Sequence, residues 1–230
     1  MFDRKSRNDP ARCFVFHASS HCCLPELCRE FDKPVFDHYS GLTSTSGLRA
    51  SPANELMKFT GYFLDVQTQY FDWRKYQMVI ANRPDENLLV DNFESADISR
   101  QHNIVSAMVD KIGVVLNRVA GSDAGFDREA MTERVKNAFT SLEIKEESGF
   151  ASWEKSGSNT AFTYRIIFDV PSQNVKTDIC SLVTTVKLMA DIYEKSTWFG
   201  LSNTSRYEFS ASVDAMRLAC SKDFVAGPRP

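Results

Sequence analysis

Apolar and polar positions along the chain follow two different periods. In the stretch 54–82, Leu56, Phe59, Phe63, Val66, Tyr70 and Trp73 recur at three- and four-residue steps, which predicts one long helix ended by Pro84. A short strand is predicted over 88–93. A second helix is expected over 98–120, with Val105, Met108, Ile112, Val115, Leu116 and Val119 in line and Gly121 as its stop. A third follows, with Asp127 as N-cap and Met131, Val135, Ala138, Phe139 and Leu142 as its apolar stripe.

After Glu147 the period shortens to two. Phe162, Tyr164, Ile166, Phe168 and Val170 alternate with Ala161, Thr163, Arg165, Ile167 and Asp169. The stretch 177–193 puts Cys180, Leu182, Val186, Leu188, Ala190 and Ile192 on one side. Tyr207, Phe209, Ala211, Val213 and Ala215 form a third alternation, which breaks at Met216 and Leu218 and so predicts a bulge or the strand's end. Helices first and sequential strands afterwards point to an α+β fold rather than an alternating one. Ahead of all this, a strand over 12–17, a helix over 24–31 and a loop over 40–52 are expected.

The chain has 230 residues, 43% of them hydrophobic and 25% charged, so it has the composition of a folded globular protein and not of a disordered one. A formal net charge of −3 leaves no cationic excess for neutralising phosphates, so a nucleic-acid partner is not expected. No stretch approaches the ~18–20 apolar residues of a spanning helix, and the polar first residues predict no conventional signal peptide.

Four of the six cysteines, Cys13, Cys22, Cys23 and Cys28, crowd near His17 and His21. Cys22 and Cys23 are adjacent, no C-x-x-C pair occurs and no second cluster follows, so no metal site and unbridged thiols are expected. Nucleophile-elbow, zinc-hydrolase, P-loop and dinucleotide motifs are absent, and the expectation is a protein that is not an enzyme. Gly121 to Gly125 reads as a turn between helices, and His102 as a helical residue without a metal partner. Cys180 reads either as a small buried strand residue or as a nucleophile whose partner only the fold can bring near.

At the junction of the third helix and the strands the residues resemble a known family. Arg134-Val135-Lys136-Asn137-Ala138-Phe139-Thr140-Ser141-Leu142, then Trp153-Glu154-Lys155, then Phe162-Thr163-Tyr164-Arg165-Ile166-Ile167-Phe168 are similar to the Cyt cytolytic toxins, the bacterial Cyt δ-endotoxins, with which Evf-type virulence factors share a fold. The resemblance is carried by residues 103–190 and extends to about 218. It implies a single α+β domain over 1–230, a central antiparallel sheet wrapped by amphipathic helical hairpins, with 1–53 an N-terminal extension, a pro-segment or an integral part.

The resemblance also implies a soluble protein, released by a non-classical route, that binds phospholipid and permeabilises target-cell membranes after conformational change and oligomerisation. Its partners would be a phospholipid membrane and further copies of itself. The strand residues expected to meet lipid are Phe162, Tyr164, Ile166, Phe168, Val170, Leu182, Val186, Leu188, Tyr207, Phe209 and Val213. Arg165, Asp169, Lys187 and Asp191 would then face a watery lumen or an interface. The Evf-type alternative is a soluble protein with no cofactor other than a fatty acyl chain, such as palmitate, on Cys180, and with no pore.

Overall fold

In the computed structural model the chain divides into two units, Met1–Lys33 and Pro34–Pro230. The structure describes residues 35–41, 51–122, 124–156, 159–172 and 178–230, all in the second unit. The strand expected over 12–17, the helix over 24–31, most of the 40–52 loop and the N-terminal cysteine cluster lie outside them.

The elements run β1 (Asp37–Ser40), α1 (Pro52–Gly61), α2 (Trp73–Ala81), β2 (Leu88–Ile104), α3 (Val105–Ala120), α4 (Arg128–Thr140), α5 (Leu142–Glu147), β3 (Ala151–Ser156), β4 (Asn159–Pro171), β5 (Ile179–Ala190), α6 (Lys195–Phe199) and β6 (Arg206–Cys220). The strands make one sheet in the order β1-β4-β5-β6-β2, with β3 also paired to β4. β3 occupies the first half of one β4 edge and β1 the second half; β1 is parallel to β4 and all other pairs are antiparallel.

Strand alternation sends successive side chains to opposite faces, and here apolar packing covers the first face and one end of the second. The first face carries Phe162, Tyr164, Ile166 and Phe168 of β4 with Leu182, Val186 and Leu188 of β5 and Phe209, Ala211, Val213 and Ala215 of β6. Against it lie the apolar stripes of α3 (Met108, Ile112, Leu116) and α4 (Val135, Ala138, Phe139). The second face carries Ile167, Val183, Met216 and Leu218, packed against Phe59, Phe63 and Tyr76 from α1, α2 and the segment between them. That apolar patch covers only one end of the second face; toward the other end Thr163, Thr185, Lys187, Ser212 and Asp214 follow one another across the strands.

Three expectations are corrected. The helix expected over 54–82 is two helices. Asp65 accepts the backbone N–H groups of Gln67 (2.8 Å) and Thr68 (3.0 Å), Leu64 bridges Phe71, and the chain reverses there in a hairpin. A carboxylate that captures the N–H groups just ahead of it competes with the helix for them, which is why the helical spacing of Val66 and Tyr70 misleads. Second, β2 extends to Ile104 and the helix begins only at Val105, so His102 is a strand residue opposite Glu208. Third, β6 pairs without a bulge along β5 as far as Cys220; the parity change reflects Met216 and Leu218 entering the second apolar core. The register shifts fall in β2, between Val90 and Asn92 and between Ile98 and Gln101.

Candidate functional site

The structure gathers the strand residues singled out from the sequence onto one surface. Phe162, Tyr164, Ile166, Leu182, Val186, Phe209 and Val213 are fully buried under the helices, and Phe168 and Leu188 nearly so. Tyr207 is half-buried and packs edge-on to Phe209 with ring centroids 5.9 Å apart. Val170 and Cys180 pair across β4 and β5 at the end of this face and form a small cluster with Ala124. Cys180 is 8% exposed.

The helices α3, α4 and α5 therefore act as a lid, and the lid is fastened at one place above all. Asp37, on β1, is buried and accepts hydrogen bonds from Arg134 of α4, from Lys145 of α5 at 2.8 Å and from the Tyr164 hydroxyl of β4. Burial pushes this carboxyl up, yet the hydrogen bonds from Lys145 and Tyr164 and the charges of Lys145 and Arg134 outweigh it and hold it below its ordinary value. The Tyr164 phenol moves the other way, raised by burial and then by its bond to Asp37. Further ties join Arg217 to the Ala120 carbonyl at 2.8 Å and Lys195 to Glu146 at 2.6 Å.

On the second face two charged residues of β4 are fully buried. Asp169 accepts from the Ser181 hydroxyl and lies 2.5 Å from His38 Nε2. Serine and histidine both meet the carboxylate, and no bond between Ser181 and His38 is present, so the trio lacks the nucleophile-to-base contact of an acyl-transfer site. Arg165 donates to three neutral oxygens: the Val35 carbonyl (3.2 Å), the Gln69 side chain (2.8 Å) and the Gly149 carbonyl (2.9 Å). Lys187 lies at the open end, paired with Glu154 at 2.6 Å. Asp191 lies just past β5 and accepts the Glu208 N–H at 2.9 Å.

A family model described as Bacillus thuringiensis toxin matches residues 64–220. The chain belongs to that family. Two solved structures of toxins share its fold. A delta-endotoxin superimposes with a TM-score of 0.71 at 16% identity, over 98% of this chain and 94% of that one. The activated Cyt2Ba monomer from Bacillus thuringiensis subsp. israelensis gives 0.69 at 17% identity, over 83% of this chain and 100% of that one. The Evf virulence factor aligns with a TM-score of 0.37 at 9% identity, over 84% of this chain and 81% of that one, a level that establishes no shared fold. None of the curated proteins compared with the chain is similar enough in sequence to count as a relative.

The Cyt-type recognition and the α+β fold expected from the sequence thus hold for this member of the toxin family. The fastening residues Asp37, His38 and Lys145 were not singled out from the sequence. Their partners lie about a hundred residues away in the chain, and no local spacing marks them. Arg165 and Asp169 were visible as charges inside an apolar strand, and that was the one signal available.

Proposed function

We propose that this toxin-family protein binds phospholipid and permeabilises target-cell membranes, by lifting its helical lid and assembling several copies around exposed strands. One observation carries the reading: β4, β5 and β6 are apolar on the face beneath the lid, and on the other face they are polar over the end that carries Thr163, Thr185, Lys187, Ser212 and Asp214. This is the pattern of a strand with lipid on one side and water on the other. The strands are 13, 12 and 15 residues long, beyond the ~9–11 that a tilted spanning strand needs. No helix among the described residues is long and apolar enough to cross a membrane. Open sheet edges are not tolerated in hydrocarbon, which is why the reading requires several copies.

Dye release from zwitterionic and anionic liposomes, before and after mild proteolysis, tests it. Release rising steeply with protein concentration is the expected result. Intact vesicles under every condition would sink the reading.

A second reading, an acyl-carrying protein without pores, is favoured by the position of Cys180. It packs beside Val170, which with Phe126 and Met131 lines a cavity of about 260 Å³. A fatty-acyl mass increment that hydroxylamine removes and Cys180→Ala abolishes is its expected signature. An unmodified intact mass in protein from its native source rejects it.

A further inference from the structure

The hairpin between α1 and α2 exposes two apolar side chains, Val66 at 44% and Tyr70 at 64%. Between them Gln69 has φ = 57°, the one non-glycine residue with positive φ among the described residues. A left-handed backbone is strained for a residue with a β-carbon, so the surrounding structure must hold it there. The Gln69 side chain does so with two bonds. Its Nε2 donates to the Val66 carbonyl at 2.7 Å, and its Oε1 accepts from Arg165 Nη2 at 2.8 Å.

Arg165 is itself unusual. It is fully buried, its acceptors are all neutral, and its Nη1 has no partner. Burial lowers its pKa to about 10. A guanidinium in such a place stays only while its acceptors hold it. Those acceptors come from the hairpin, from Val35 just ahead of β1, and from Gly149 between α5 and β3. Three segments remote in sequence are thus tied to one residue of β4, the strand whose other face lies under the lid.

We propose that the hairpin 65–70 is a membrane contact coupled to β4: when Val66 and Tyr70 enter a phospholipid surface, Gln69 releases Arg165, and the hold of β1 and of the α5–β3 turn on β4 loosens. Tyrosine suits the headgroup level, where its ring is half apolar and its hydroxyl wet. In the open state of this proposal Gln69 takes an ordinary φ and its side chain leaves Arg165. A ligand shifts an equilibrium between two states only by favouring one of them, and the open state offers lipid phosphate a guanidinium that the closed state hides. The inference rests on the reading that the protein acts on bilayers.

The test compares wild type, the Val66→Ser/Tyr70→Ser double variant and Gln69→Ala on phosphatidylcholine vesicles, by flotation and dye release, with hydrogen exchange in water. The double variant, altered only at exposed positions, should keep the wild-type unfolding midpoint and need several-fold more protein for binding and for half-maximal release. Gln69→Ala should bind vesicles normally, exchange several-fold faster at 35–37 and 149–151, and release dye at several-fold less protein. Wild-type binding by the double variant, or unchanged exchange in those segments of Gln69→Ala, overturns the inference. If wild type binds vesicles but releases no dye, permeabilisation fails, while flotation and exchange still decide the coupling.

Discussion

The Lys145 ammonium reaches the Asp37 carboxylate at 2.8 Å and thereby joins the last helix of the lid to a four-residue edge strand. The same carboxylate holds Arg134 of the preceding helix, so two helices of the lid are tied to β1 through one side chain. Asp37→Asn keeps the shape and removes the charge. Breaking a buried ion pair costs ~3–5 kcal/mol, and the partial exposure of Arg134 lowers the expected loss to about 2–3 kcal/mol. A reduced urea midpoint with an unchanged slope is the measurement. The pH dependence follows from the lowered carboxyl. The unfolded chain binds this proton more readily than the folded one, so the stabilisation is complete above about 3.8 and disappears as the pH falls through the lower native value. Asp37→Asn should flatten that part of the acid-unfolding profile; a profile identical to wild type contradicts the assignment.

Asp127 starts α4, accepting the Glu129 N–H at 2.9 Å and the Ala130 N–H at 3.0 Å. Asp127→Ala removes both bonds, a loss of ~0.5–2 kcal/mol. Because α4 is part of the lid, the variant should also release dye at lower protein concentration. Reduced stability together with an unchanged or higher release threshold would separate α4 from opening.

Trp198 anchors α6 with its ring fully buried, 5.3 Å from that of Phe162, and its Nε1 donating to Thr160 at 2.7 Å. Trp198→Phe loses the hydrogen bond and the volume of the indole's second ring, about 1–3 kcal/mol, whereas Trp198→Ala opens a larger cavity and costs about 3–5 kcal/mol. Thermal unfolding should rank them in that order.

Cys220 sits in the second apolar core, and burial, reinforced by the charges of Asp169 and Asp178, pushes its thiol up to about 12. The thiolate is the reactive form, so iodoacetamide at pH 8 should label Cys220 only slowly in the native protein and rapidly in urea. Rapid labelling of the folded protein in water would show that this core opens by itself. Fast labelling on vesicles alone would show that α1 and α2 also move away.

The parts legible in the sequence are those in which one periodicity governs a whole element. The alternations of β4 and β6 and the stripes of α3 and α4 were readable because each element packs a continuous apolar row. β2 was not. It has a strand neighbour on one side only among the described residues, and from Ser99 to Asn103 it shows no apolar row at all. Its C-terminal end was therefore absorbed into the helix that follows. The hairpin after α1 was hidden because Asp65 and Gln69 act through side-chain bonds to backbone and to Arg165, which leave no periodic trace. Among the lipid-facing candidates, the shared surface was legible and the fastening was not, since Asp37 and Tyr164 meet only through tertiary structure.

β1 and β3 between them occupy one side of β4, while β2 at the far margin presents a long polar rim interrupted by two register shifts. Such irregular, charged rims resist the addition of another strand. If two copies did join rim to rim through β2, both outer margins of the combined sheet would be the short strands β1 and β3, of four and six residues. A third copy would find only those short edges to pair with. The long edge of β4 becomes free for pairing only if β1 or β3 leaves, so the same short strand that fastens the lid also caps half of that edge.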